Sequence, residues 1–138
     1  MTAAGDRVTP AGTGRRVPDA AIEAARAAAD KLGQNTVVLA VGDLLGVTDA
    51  FVITDGRNTR QVRTIVEDVE RHVKDCTGRV PHAIEGLRDL HWVLMDYGDF
   101  LVHVFLDETR GYYDLERLWG DAPRVDWTRP AAAPSTAD

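Results

Sequence analysis

The chain has one cysteine, Cys76, in 138 residues. That excludes an intrachain disulfide and any metal centre built from several cysteines. Its one serine, Ser135, lies close to the C-terminal end, so serine-nucleophile chemistry has no candidate. No apolar run approaches the ~20 residues a helix needs to cross a bilayer. The first residues carry no hydrophobic signal core, and a cytosolic (cytoplasmic) compartment is expected. No phosphate loop is complete either. Asp55-Gly56-Arg57-Asn58-Thr59-Arg60 links a strand to a helix, but it holds one glycine and matches neither phosphate-binding pattern in full. His72, His82, His91 and His103 lack paired zinc spacing, although His91 and His103 can approach each other near a hairpin. No metal and no cofactor are expected.

Positive charge is scarce where it would matter. The formal net charge is −6. Residues 1–17 hold Asp6 against Arg7, Arg15 and Arg16, a net +2, and residues 122–138 are neutral, so the segment between them carries −8. Affinity for a nucleic-acid backbone comes from lysine and arginine displacing counterions, so little direct nucleic-acid contact is expected. A basic protein partner is compatible, because complementary potentials steer encounter.

Residues 1–17 are rich in Gly, Ala, Thr and Pro and read as a flexible tail. Residues 122–138 read as a second one, with Trp127 available for a weak contact. Residues 18–121 form one domain with enough chain to bury a core. A first helix starts near Asp19 with Ile22, Ala25, Ala29 and Leu32 as its apolar stripe, and Gly33 ends it. Residues 36–41 (TVVLAV) and 50–54 (AFVIT) read as strands. Residues 44–47 between them read either as a loop or as an extension of the sheet. Val62, Ile65, Val66, Val69, Val73 and Cys76 recur at helical spacing between a cap at Asn58 or Thr59 and a stop at Gly78. This puts the Cys76 thiol in the core. Residues 79–85 (RVPHAIE) read as a third strand, with Pro81 favouring an edge.

The most informative stretch is 92–119, WVLMDYGDFLVHVFLDETRGYYDLERLW. Two apolar runs, 92–95 and 100–106, suit strands buried on both faces. Asp96-Tyr97-Gly98-Asp99 joins them as a hairpin turn. His103 interrupts the second strand and reads as a hydrogen-bonded structural residue. Asp107 and Glu108 open a helix on which Tyr112, Leu115 and Trp119 share one face, with Tyr113 and Glu116 beside it. Aromatic residues at such a site fit an interface or a core; Tyr113 and Glu116 fit a surface role. The fold class is therefore α/β in mixed α+β form, a single domain with a central mixed sheet of about five strands flanked by helices. Asp43 and Asp49 flank the first strand connection. They read as turn and cap residues or as a divalent-metal or acid/base pair.

Residues 20–119 resemble the ribosomal silencing factor (RsfS, Iojap-like) family. The resemblance rests on Thr48-Asp49 with Phe51-Val52-Ile53, Arg60-Gln61-Val62, Glu85-Gly86, and Trp92 through Asp99. Val102-His103-Val104-Phe105 and Tyr113-Asp114-Leu115-Glu116-Arg117-Leu118-Trp119 follow in the same order. Asp55-Gly56-Arg57-Asn58 departs from the family's usual Thr-Gly-Thr-Ser. The resemblance implies a nucleotidyltransferase-like fold without that fold's catalytic carboxylate motif. It implies binding to a basic protein, the fourteenth of the large ribosomal subunit, and a steric block to small-subunit joining that lowers translation when nutrients are scarce. It also implies possible homodimers. Carried over by position, it places Trp92, Asp96, Tyr113 and Glu116 at the ribosomal-protein-binding surface, with Leu115 and Trp119 positioning them. The other reading is a metal-dependent nucleotide-handling enzyme that uses Asp43 and Asp49.

Overall fold

A computed structural model describes residues 17–113, 120 and 122–128. The chain runs α1 (Asp19–Asp30), β1 (Gln34–Ala40), α2 (Gly42–Leu45), β2 (Ala50–Gly56) and α3 (Thr59–Thr77). It continues through β3 (Ala83–Glu85), β4 (Trp92–Asp96), β5 (Phe100–Leu106), α4 (Asp107–Tyr113) and β6 (Arg124–Val125). The strands form one sheet in the order β3-β4-β5-β2-β1-β6. β2 and β5 pair in parallel at its centre, and every other pairing is antiparallel. The α+β domain with a mixed sheet agrees with the expectation from sequence.

β2 is buried along its whole length because it lies between two long strands and has apolar neighbours on both faces. α1 and α3 cover one face. Their apolar residues pack with Val38, Val52, Val93, Met95, Phe100, Val102 and Val104. α3 keeps the predicted spacing, with Val62, Ile65, Val66, Val69 and Val73 buried. The Asn58 side chain accepts from the Gln61 amide at 2.8 Å, and the Gln61 side chain accepts from the Arg57 amide at 2.7 Å. This reciprocal cap satisfies two amides that the helix cannot pair internally, and a cap of this kind contributes about 1 kcal/mol.

Several details differ from the sequence reading. Among the described residues six strands form, because residues 124–125 in the segment expected to be a tail pair with Val38 and Leu39 of β1. Ala122 beside them is buried, and the Trp127 indole N–H donates to the Thr36 carbonyl at 3.0 Å. Few large side chains are needed for this docking, since an open edge of β1 supplies backbone partners. In α1 the buried face is Ala20, Ala21, Ala24, Ala25, Ala27 and Ala28, while Leu32 is 72% exposed in a left-handed conformation. α1 packs through methyl groups, and small side chains allow close approach to α3 and the sheet. Residues 44–45 belong to the short α2. Only Ala83–Glu85 of the 79–85 run pair as a strand. Cys76 is exposed, because it sits in the last turn of α3 where a groove opens beside the start of α1. The closing helix is described only as Asp107–Tyr113; Leu115, Glu116 and Trp119 lie outside the described residues.

Glycine is required at one approach next to the hairpin. Gly86 has φ +95°, and a Cβ there would lie 2.2 Å from the Trp92 carbonyl oxygen. The β3–β4 connection can hug the start of β4 only without a side chain.

Candidate functional site

β4 and β5 alternate their side chains between two environments. Val93, Met95, Val102 and Val104 point to the helix-covered face. Trp92, Leu94 and Asp96 point to the other, opposite Phe105, His103 and Leu101. The register continues this second face through Phe51, Ile53 and Asp55 of β2 and Val37 and Leu39 of β1. Its centre is closed: Leu39, Phe51, Ile53 and Phe105 are buried. Its β4 side is not, since Trp92, Leu94, Asp96 and Leu101 are half-buried. β4 was expected to be buried on both faces. It is buried on one, because no helix from α1 or α3 crosses to this side.

Trp92 is held in place on this surface. Its indole N–H donates to His103 Nδ1 at 3.1 Å, and its ring lies 4.9 Å from that of Phe105. Phe51 meets His103 edge-on at 4.8 Å. The structural reading of His103 therefore holds. His91 does not join it: the His91 carbonyl accepts from the Leu106 amide at 2.8 Å, three residues further along β5. Asp96 sits at the other end of β4. Its Oδ1 accepts from the Gly98 amide at 2.8 Å, which folds the turn, and Gly98 takes φ +91°. Asp99 is paired with Arg79 at 2.6 Å. Glu85 of β3 is exposed and pairs with Leu94, so its carboxylate flanks the same face. The β4 side thus presents half-buried apolar groups bordered by Asp96 and Glu85.

α4 reaches the β2 end of this face through a buried ion pair. Arg110 Nη1 lies 3.2 Å from Asp55 Oδ2 and 3.4 Å from the Gln34 carbonyl oxygen. Both side chains are more than nine-tenths buried. Burial pushes the Asp55 carboxyl up from its usual value, and the bonds from Asn35 and Arg110 oppose the shift.

Asp43 and Asp49 stand around α2. The Asp49 carbonyl accepts from Val41, and its amide donates to the Asp99 carbonyl. Among the described residues neither belongs to a group of three metal-capable side chains. No helix among the described residues is long and apolar enough to cross a membrane.

A family model described as "Ribosomal silencing factor during starvation" matches residues 15–138. The chain belongs to the ribosomal silencing factor family. It is 39% identical over 103 residues to the ribosomal silencing factor RsfS of Bacillus subtilis, covering 75% of this chain and 86% of that one. A mouse protein named "Mitochondrial assembly of ribosomal large subunit protein 1" is 35% identical over 85 residues, 59% of this chain and 37% of that one. A crystal structure of a Chromobacterium violaceum protein superposes with a TM-score of 0.72 at 30% identity, covering 86% of this chain and 98% of that one. Membership connects the chain to translation regulation.

Of the residues the sequence proposed for the ribosomal silencing surface, Trp92 and Asp96 share the half-open sheet face. Tyr113 ends α4 as described. Leu115, Glu116 and Trp119 lie outside the described residues. The sequence reading did not place Leu94 and Leu101 on this face: Leu94 lies between Trp92 and Asp96 along β4, and Leu101 pairs with Asp96. Assigning Asp96 and Leu101 as the pair that closes the hairpin would have found them, since cross-strand partners then share a face.

His103 gives this surface a pH signature. Burial lowers its pKa from the usual 6.5 to about 4. The unfolded chain takes up a proton near pH 6.5, whereas the folded chain does not until about pH 4. Stability from the neutral ring is thus present above pH 6.5 and is lost as pH falls through that window, by roughly 3 kcal/mol. Urea unfolding at neutral and acid pH should show a loss larger in the wild type than in His103→Phe. Equal losses would remove His103 as the cause.

Proposed function

We propose that this chain is a non-catalytic ribosomal silencing factor. It binds the large ribosomal subunit through the subunit's fourteenth protein and keeps the small subunit from joining. The reading rests on the β4 side of the sheet, where Trp92, Leu94 and Leu101 form an apolar centre flanked by the carboxylates of Asp96 and Glu85. A fixed aromatic at the centre with charge at the margin is the arrangement of an energetic anchor and a steering rim. The sign of the rim fits a basic partner. From position 92 to 121 the sequence holds seven acids against two arginines, which extends the same sign into the closing segment. Tyr113, Leu115, Glu116 and Trp119 complete the surface in this reading. The block is steric, so it needs no cofactor, and it acts in the cytoplasm. A homodimer is compatible with it, since family resemblance carries that state too.

Purified protein mixed with isolated large subunits should travel with them through a density gradient. Small subunits added afterwards should yield fewer joined ribosomes than in a control without the protein. Protein that stays at the top of the gradient at both low and moderate salt rules this function out.

A further inference from the structure

The start of α1 and the end of α3 meet side by side, and a small side-chain cluster occupies the meeting point. His72 Nε2 lies 2.9 Å from Glu23 Oε1. Cys76 Sγ lies 3.5 Å from His72 Nε2 and 4.0 Å from Glu23 Oε1. One donor atom from each residue falls within 4.8 Å of the other two. We propose that Glu23, His72 and Cys76 form a binding site for a borderline divalent cation of the zinc class.

The chemistry of the donors favours that class. A thiolate, an imidazole and a carboxylate together suit zinc, whereas calcium and magnesium prefer oxygen ligands throughout. The spacing suits it as well. Zinc bonds of ~2.0 Å to nitrogen or oxygen and ~2.3 Å to sulfur, at tetrahedral angles, put ligand atoms about 3.3–3.6 Å apart. The three separations here bracket that range, so side-chain rotations of a few tenths of an ångström complete the geometry. His72 and Cys76 are four residues apart, which places them on one face of α3. Glu23 is oriented from behind, because Arg26 Nη1 binds its other oxygen, Oε2, at 2.9 Å. A partner holding the second oxygen of a metal-binding carboxylate is the usual way such a ligand is aimed.

Access and field are favourable. A groove of about 490 Å³ lined by Pro18, Asp19, Ala20, Thr77 and Arg79 reaches Glu23 and Cys76, leaving room for water as a fourth ligand. Arg79 points its charge elsewhere, into its pair with Asp99. Cys76 lies in the last turn of α3, where the negative end of the helix dipole favours a cation. On binding, the thiol gives its proton to the buffer and the sulfur bonds the metal, while His72 binds as the neutral ring. The ion would tie α1 to α3 across a contact now made by alanine methyls and hydrogen bonds. This inference does not depend on the ribosomal reading, because the cluster lies on the helix side of the sheet.

The test uses the full chain, reduced and stripped with a chelator. Zinc titrated by calorimetry in two buffers of different ionisation enthalpy should bind one ion per chain with release of a thiol proton. Cobalt(II) at the site should give a sulfur-to-metal charge-transfer band in the near ultraviolet. Cys76→Ser should abolish that band. His72→Gln and Glu23→Gln should each weaken zinc binding about a hundredfold, since loss of even an outer-shell partner costs 10- to 100-fold. Metal-free melting curves of the variants guard against misfolding, as none of the three positions is buried. Zinc should raise the melting temperature of the wild type alone. The proposal is overturned by zinc affinity that survives in Cys76→Ser and His72→Gln, by cobalt spectra without the sulfur band, or by no binding to the reduced protein.

Discussion

Replacing Asp96 with arginine is expected to lower affinity for the large subunit by about two to three orders of magnitude. Placing like charge against a basic partner costs several kcal/mol, and each ~1.4 kcal/mol is a factor of ten. The fold should survive. Asp96 is half-buried, and the bond described for its carboxylate is the one it accepts from the Gly98 amide, worth about 1 kcal/mol. Asp96→Asn separates the two effects. An asparagine oxygen keeps the turn, so this variant should melt like the wild type while binding with an intermediate loss. Affinities measured by sedimentation with purified large subunits, alongside thermal melts, decide the matter. Unchanged binding by folded Asp96→Arg would take this end of β4 out of the interface. The salt response offers a parallel check: a steering charge that has been removed should flatten the fall of affinity with ionic strength.

Removing Arg110 should have the largest effect on stability. Arg110→Ala leaves the Asp55 carboxylate buried without its cation, with Oδ1 already lacking a partner. Breaking a buried pair from one side costs about 3–5 kcal/mol. The pH dependence follows from the raised pKa of Asp55. A buried carboxyl whose folded pKa is raised destabilises the fold when it is charged and ceases to do so once protonated. Loss of Arg110 raises that pKa further, so the deficit of the variant should be greatest at neutral pH and shrink as pH falls. Denaturant unfolding of wild type and variant at the same series of pH values reads this difference, in which the His103 contribution cancels. Arg110→Met combined with Asp55→Asn should recover much of the loss. A deficit that stays constant with pH would mean that Arg110 acts through packing of its stem and not through Asp55.

The two predictions probe opposite ends of one sheet face, and the face explains why they differ. At the β4 end Leu94 and Leu101 are half-buried, so in the proposed complex a charge change there would be felt by the partner. At the β2 end α4 closes over Asp55, so a charge change is felt by the fold.

The sequence by itself determined the local elements. The spacing of Val62, Ile65, Val66, Val69 and Val73 made α3 a helix with one buried face, and Asn58 and Gly78 set its ends. The apolar runs around Asp96-Tyr97-Gly98-Asp99 made the hairpin. These are short-range effects of side-chain period, capping and turn geometry, and they act between residues close in the chain. Family membership was legible for a related reason, since it rests on ordered short segments. The tertiary structure alone decided what faces what. Continuous apolar strands do not reveal which face a helix will cover, so the half-open β4 side and its Leu94 and Leu101 depended on the packing of α1 and α3 on the other side. The alanine face of α1 was hidden because its one β-branched residue, Ile22, drew the predicted stripe away from the smaller groups that permit close packing. β6 was hidden because two residues recruited by an open strand edge need no pattern of their own. The Asp55–Arg110 pair and the Glu23–His72–Cys76 cluster join residues 55, 49 and 53 positions apart. Contacts at that range are made by the fold; within the cluster the four-residue spacing of His72 and Cys76 on α3 is local, and the approach of Glu23 is not.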